Sequence, residues 1–321
     1  VQGSATSLRT LRKAGMVKAE MFIALMEEEA VNITACIMSK KLGADRAIAR
    51  INNREYLEDE NREYLAKLGV DTLIYPEILA SQEISLLLRQ AGASSAFDFC
   101  GGQLSLMMIK LEPDAPIVNK SLREADAIAE QAYRAIAITR GNHTLIPRGE
   151  DVFRPGDKVY VVVSKSGVKA LMDYSGKERR PVKNIMIMGG SRIGQKVAKA
   201  FQEQANVKLL EVDKEKSFRV ADELNKTLVI HADGKDLDFL KSEGIQRTDA
   251  FIAVTGSTDT NILSCLLAKR MGVRQTIAEI ENMDYIDLAE HMGIDTIINK
   301  KRIAASNIFS FTIGANVSTL Q

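Results

Sequence analysis

One stretch constrains the fold more than any other: Asn184 to Asp213, NIMIMGGSRIGQKVAKAFQEQANVKLLEVD. Its first part, Ile185-Met186-Ile187-Met188, is a short continuous apolar run, the pattern of a parallel strand buried on both faces. Gly189-Gly190-Ser191-Arg192-Ile193-Gly194 follows, then a helical pattern that places Ile193, Val197, Ala200 and Phe201 on one face. A second strand runs from Val207 to Val212 and carries an acid, Glu211, near its end. Strand, glycine-rich turn, helix, strand and terminal acid make the first half of a dinucleotide-binding βαβ unit. Each part has a physical task. Gly189 permits the tight turn, Gly194 lets the helix lie against the strand, and the helix N-terminus offers unpaired N–H groups to a pyrophosphate. One position departs from the fingerprint: the middle glycine of G-x-G-x-x-G is Ser191. Its Cβ crowds the closest approach to phosphate, while its hydroxyl offers a hydrogen bond in return.

The chain also repeats itself. Laid on itself so that Leu8 falls on Leu237, it matches Leu11, Gly15, Phe22-Ile23-Ala24, Asn32-Ile33, Cys36, Lys40 and Gly43 to Leu240, Gly244, Phe251-Ile252-Ala253, Asn261-Ile262, Cys265, Lys269 and Gly272. After a longer connection, Leu68-Gly69-Val70-Asp71-Thr72-Leu73-Ile74 returns as Met292-Gly293-Ile294-Asp295-Thr296-Ile297-Ile298. These are two copies of one doubly wound α/β fold, the second whole and the first partial. In the first copy the counterpart of Asn184 to about Val229 lies before Val1, so its sheet is expected to lack its first two strands. The chain therefore reads as a fragment of a longer protein, and the apolar run from Phe309 to Gln321 as the start of a further module.

Between the copies the pattern changes. A helix is expected over Glu83–Gln90 and strands over Leu104–Leu111, Ala135–Thr139, Thr144–Ile146 and Val159–Val163. Helices are expected over Ser121–Gln131 and Val168–Asp173, with turns at Glu112-Pro113-Asp114 and Arg154-Pro155-Gly156-Asp157. This is a small α+β unit, joined to the second sheet by the charged linker Lys177–Pro181.

Bulk properties exclude several classes. The 321 residues suffice for two or three domains. Lys and Arg total 43 against 42 Asp and Glu, which argues against a nucleic-acid partner. No apolar stretch reaches the roughly 18–20 residues that span a bilayer. Cys36, Cys100 and Cys265 are far apart and read as buried thiols. His143, His231 and His291 are equally scattered, so neither a metal cluster nor a histidine-based triad is expected.

The order of modules, with Asn119-Lys120-Ser121-Leu122 before a helix, Arg154-Pro155-Gly156-Asp157 before a strand and the block DAFIAVTGSTDTNILSCLLAKRMG, resembles the regulatory subunits of Trk potassium-uptake systems with their tandem RCK (KTN) domains. The resemblance covers nearly the whole chain. It implies Rossmann-like N-lobes at residues 1–92 and 184–310, the first without its start, a C-lobe at 93–176, and the beginning of a second C-lobe at 311–321. It also implies a regulator rather than an enzyme, which binds NAD(H), or ADP or ATP, as an effector. Such proteins assemble as a ring on the inner face of the plasma membrane against a separate potassium-translocating subunit. Carried over residue by residue, the ligand contacts fall on Gly189, Ser191 and Gly194 at the phosphates, Glu211 at the ribose, Asp233 at the adenine edge and Thr255 at the distal end of the ligand. Glu211 should favour NAD(H) over NADP(H), because its charge repels a 2′-phosphate. In the first copy Ser4 stands in place of Asp233, and Met26-Glu27-Glu28-Glu29 in place of Thr255-Gly256-Ser257-Thr258.

The alternatives are a nicotinamide-dependent oxidoreductase and a scaffold with a degenerate nucleotide site. The first needs a proton donor or acceptor beside the nicotinamide, and the middle module offers no such constellation. The second is kept open by Ser191.

Overall fold

The computed structural model describes residues 1–89, 95–99, 103–129, 133–141, 143–176 and 181–317, with the side chains of 95–99, 127–129 and 313–317 excepted. Parallel βα alternation opens the chain: α1 (Leu8–Lys13), β1 (Met21–Ala24), α2 (Glu29–Leu42), β2 (Arg46–Arg50), α3 (Asp59–Leu68), β3 (Thr72–Ile74) and α4 (Pro76–Arg89). An antiparallel module follows, with β4 (Ser95–Phe99), β5 (Leu104–Lys110), α5 (Leu122–Ala129), β6 (Tyr133–Arg140), β7 (His143–Leu145), β8 (Lys158–Ser164) and α6 (Val168–Tyr174). The alternation then resumes as β9 (Asn184–Met188), α7 (Arg192–Phe201), β10 (Asn206–Glu211), α8 (Lys214–Glu223) and β11 (Leu228–His231). It continues through α9 (Leu237–Ser242), β12 (Ala250–Ala253), α10 (Thr258–Arg270), β13 (Gln275–Glu279), α11 (Ile286–His291), β14 (Thr296–Ile298) and α12 (Lys300–Val317).

These elements form two compact units, one comprising Val1–Leu79 with the segment from Lys300, the other Ala80–Asn299. In the first, β1, β2 and β3 pair in that order, all parallel. Ala24, Cys36, Ala47, Ala49, Leu65 and Val70 fill one side of this sheet. On the other, Ala304 and Ile308 of α12 pack with Ile48 and Ile74. The boundary expected at residue 310 falls inside α12. Strands β1, β2 and β3 are the counterparts of β12, β13 and β14, and the further strand expected to reach Val1 and Gln2 does not form. In β1, Ile23 is 40% exposed, whereas its counterpart Ile252 is fully buried.

The second unit holds two sheets. The larger is parallel with the order β11-β10-β9-β12-β13-β14. Strand order therefore reverses between β9 and β12, the point where doubly wound sheets open a crevice at their carboxyl ends. Every residue of β12 is buried, and this explains its unbroken apolar sequence: helices cover both faces. Met186, Met188, Phe251 and Ala253 meet Ile262, Cys265 and Ala268 of α10 and Ala289 of α11 in one core. Each large apolar side chain enclosed this way contributes about 1.5–3 kcal/mol.

The smaller sheet is antiparallel, in the order β4-β5-β8-β6-β7. Its elements agree with the sequence pattern except at their ends and at β4, a strand the pattern did not single out. The helix expected from Glu83 starts at Pro76, where the proline sits at the first helical position without loss of a needed N–H, and Gln90 lies outside the described residues. β6 starts at Tyr133, ahead of a register shift between Ala135 and Ala137 that breaks its alternation. The two short motifs act as locks. Ser121 and Glu124 form a capping box, with Glu124 accepting from the Ser121 N–H and Oγ at 2.7 Å. Asp157, fully buried, accepts two bonds of 2.8 Å from Arg140 and one of 2.9 Å from the Arg154 N–H. Cys36 and Cys265 are buried as expected; Cys100 and most of the linker from Lys177 lie outside the described residues. Among the described residues, no helix is long and apolar enough to cross a membrane.

Candidate functional site

At the switch point, the carboxyl ends of β9, β10, β11 and β12 enclose a cavity of about 380 Å³. Gly189, Ser191, Glu211, Asp233 and Thr255 all line it. Gly194 does not; it stands behind the cavity and sets its floor. A Cβ there would sit 2.2 Å from the Gly189 carbonyl oxygen and 3.3 Å from the side chains of Ile187 and Val254. The helix can approach the strand this closely only with glycine at that place. Gly189 is fixed by its own backbone, with φ of +110° and Val254 O only 2.8 Å from where a Cβ would be.

Ser191 is the N-cap of α7, and its Oγ accepts from the Gly194 N–H at 3.3 Å. The serine that replaces the middle glycine thus has a local role in the helix, and its hydroxyl proton remains available for an anion. The N-cap of α7 lines the cavity, so the helix dipole favours negative charge at this end.

Glu211 is 5% exposed and heavily bonded. Its Oε1 accepts from the Asp213 N–H at 3.0 Å, and its Oε2 from the Gly190 N–H at 2.9 Å and from Lys216 Nζ at 2.6 Å. Burial opposes ionisation of the carboxyl, but the Asp213 N–H, the Lys216 ammonium and the Gly190 N–H outweigh it and hold its pKa below the ordinary value. The acid is a charged carboxylate tied to the glycine-rich turn through Gly190.

Asp233 is half exposed and makes an Asx turn, accepting from the Lys235 N–H at 3.0 Å, with Lys235 Nζ 3.6 Å away. Thr255 is held by Asn261, a side chain 1% exposed. Asn261 Oδ1 accepts from the Thr255 N–H at 3.0 Å and from Thr255 Oγ1 at 2.6 Å. Asn261 Nδ2 donates to the carbonyls of Thr255 at 3.1 Å and Glu279 at 2.8 Å. One buried amide therefore fastens the ends of β12 and β13 together.

Sequence reasoning did not single out Gly190, Lys216, Lys235 or Asn261. Asn261 had a signal, its match to Asn32 in the repeat. Lys216 had none, because it reaches Glu211 only through the turn into α8. The cavity carries two carboxylates and two ammonium groups, with apolar wall from Met188, Leu210 and Val254. Such a surface suits a ligand with an apolar ring, hydroxyls and a compact anion. Among the described residues, no group of three or more His, Cys, Asp or Glu is placed to hold a metal ion.

Comparison with known proteins agrees with this architecture. The TrkA-N domain model matches residues 1–76 and 185–300, once for each copy, and the TrkA-C domain model matches 106–176. The Trk system potassium uptake protein TrkA of Haemophilus influenzae is 30% identical over the whole chain, which spans 71% of that protein. A TrkA homolog of Archaeoglobus fulgidus is 31% identical, with the chain spanning 72% of it. In structure, the RCK domain of GsuK superposes with a TM-score of 0.69 at 20% identity, covering all of this chain and 68% of that one. The GsuK channel bound to NAD gives 0.68 at 19% identity, covering 97% and 54%. The structural likeness establishes the RCK fold, with Rossmann-like sheets and a small α+β lobe; family models spanning both sheets and the lobe, with relatives alike over the full chain, establish descent. The chain belongs to the TrkA family of Trk system potassium uptake proteins.

Proposed function

We propose that this protein is a nucleotide-responsive regulator of potassium uptake, acting on a separate potassium-translocating membrane subunit and not as an enzyme. The observation that carries this reading is the cavity at the switch point, where five of the six residues expected to contact a nucleotide converge and the sixth sets the close helix approach. NAD(H) is the proposed effector, with ADP or ATP as alternatives of the same chemistry. In support, one structural neighbour is a channel bound to NAD and another is the same protein bound to ADP. The phosphates lie against Gly189, Ser191 and the first turn of α7, the ribose hydroxyls against Glu211, the adenine edge against Asp233, and the distal part near Thr255.

The regulator works as a ring of several copies at the inner face of the plasma membrane. In it, residues 1–92 and 184–310 are N-lobes, 93–176 a C-lobe and 311–321 the start of another. Structural neighbours that are an RCK domain and a gating ring support that assembly. A ligand shifts the ring only by the difference in its affinity for two arrangements. A coupling of about 1–3 kcal/mol changes their ratio roughly 5- to 150-fold.

The test has two parts. Calorimetric titration of the protein with NADH should show saturable binding that a Glu211→Ala, Asp233→Ala double variant loses. Cells lacking the protein should regain regulated potassium uptake with the wild type and unregulated uptake with the variant. Normal regulation by a variant that no longer binds nucleotide would overturn ligand control through this cavity.

A further inference from the structure

The Glu211–Lys216 pair decides which nucleotides the cavity can take, an inference that rests on the nucleotide reading above. A carboxylate has about four lone-pair positions. Three of those on Glu211 are engaged, two by the backbone N–H groups of Gly190 and Asp213 and one by Lys216. The backbone donors are fixed by the phosphate loop and by the turn that leads to Asp213, the N-cap of α8. Lys216 is different. It is the third residue of α8, its side chain is 37% exposed, and its ammonium can leave along the rim of the cavity.

An acid at this place ordinarily serves two ends. It accepts from the ribose diol, and its uncompensated charge keeps a 2′-phosphate out. Here the charge is compensated. The ammonium lies 2.6 Å from the carboxylate oxygen, so a phosphate arriving at the ribose edge meets a neutral pair and a cation that can turn towards it. A ribose with free hydroxyls must instead displace Lys216 to gain both acceptor positions, which weakens its hold. The remaining charges on the lining, Asp233 and Lys235, pair with each other at 3.6 Å and leave this balance unaltered. The cavity thus lacks the one-sided charge that exclusion of a 2′-phosphate requires.

We propose that Lys216 is the specificity-determining residue of the cavity: by neutralising Glu211 it lets adenine nucleotides bind with or without a phosphate on the ribose 2′-oxygen. Its removal converts the cavity into one selective for the free diol.

The experiment is a pair of titrations on the full chain, with NADH and NADPH as probes, for wild type, Lys216→Met and Lys216→Arg. The wild type should bind the two with dissociation constants within about threefold of each other. Lys216→Met should tighten NADH, weaken NADPH and raise their ratio by about tenfold or more. Lys216→Arg, which keeps the charge, should retain the wild-type ratio. Thermal melts of all three check the fold, and a general loss of structure would lower both affinities without moving the ratio in this direction. A wild type that already rejects NADPH by tenfold, or a methionine variant with the wild-type ratio, would overturn the proposal. If neither probe binds any of the three proteins, NAD(H) is not the ligand of this cavity, and this inference is overturned with that reading.

Discussion

The tightest contact in the site is also the simplest to test. Replacing Gly194 with alanine adds one methyl group, which would stand 2.2 Å from the Gly189 carbonyl oxygen and 3.3 Å from Ile187 Cγ2 and Val254 Cγ2. Non-bonded heavy atoms settle at roughly 3.5–4 Å, so α7 must retreat by about 1 Å or the Gly189 peptide must turn. The obstacle is backbone and cannot swing aside as a flexible side chain would. Overpacking of this kind costs about 1–3 kcal/mol, and the upper half applies here. A domain of this size loses about 2–4 °C of melting temperature per kcal/mol, so the melt should fall by about 5–10 °C. The same retreat withdraws the first turn of α7 from the cavity, and NADH affinity should drop about tenfold or more. Gly256 supplies the control. It lines the same cavity, but a Cβ there meets no heavy atom within 4 Å, so Gly256→Ala should stay within about 0.5 kcal/mol of wild type. If Gly194→Ala melts and binds like the wild type, the close approach of helix to strand is not what shapes this floor.

Two further outcomes follow from the bonding around the site. Glu211 has a lowered pKa in the fold, so its ionised form stabilises the protein above the ordinary value near 4.5 and that contribution is lost as pH falls through the lowered one; chemical denaturation of wild type and Glu211→Gln should differ by about 1–2 kcal/mol at neutral pH and converge as pH falls through that lowered value. Asn261→Ala should cost about 2–3 kcal/mol by orphaning buried backbone groups and should weaken NADH binding, whereas Asn32→Ala, its twin in the first copy, should destabilise and leave binding alone; equal binding losses in both would refute a positioning role for Asn261.

How much of this was legible in the sequence depended on whether the cause was local. The turn at Gly189 and the acid at the tip of β10 are properties of consecutive residues, and both stand where the glycine-rich motif puts them; that Ser191 also caps α7 was not read from it. The strand order needed only the repeat and the βα alternation, since parallel strands with helical crossovers leave few arrangements. Partnerships were not legible. That Lys216 closes on Glu211 depends on the path of the turn through Val212 and Asp213, and that Asn261 holds Thr255 depends on where α10 lands beside β13. The start of α4 at Pro76 was hidden for a different reason. The proline opens the helix at its first position, ahead of the residues from Glu83 that carry the helical pattern.

The two copies separate what the fold requires from what the site requires. Asn32 fastens Met26 and Arg50 through three bonds of 2.8–2.9 Å, as Asn261 fastens Thr255 and Glu279. Cys36 donates to the Ile48 carbonyl as Cys265 does to that of Ile277, and Lys40 meets Asp71 as Lys269 meets Asp295. These shared groups all tie one strand end or helix to the next, and at the buried asparagines and cysteines a change leaves a buried polar group without its partner. Two of the differences fall on the crevice lining: Thr255 becomes Met26 and Asp233 becomes Ser4. A third is buried, where Glu279 at the end of β13 becomes Arg50 at the end of β2. The amide of Asn32 grips the Met26 backbone in the same way that Asn261 grips Thr255. The loop is therefore held in place in both copies, but only the second presents a hydroxyl from it.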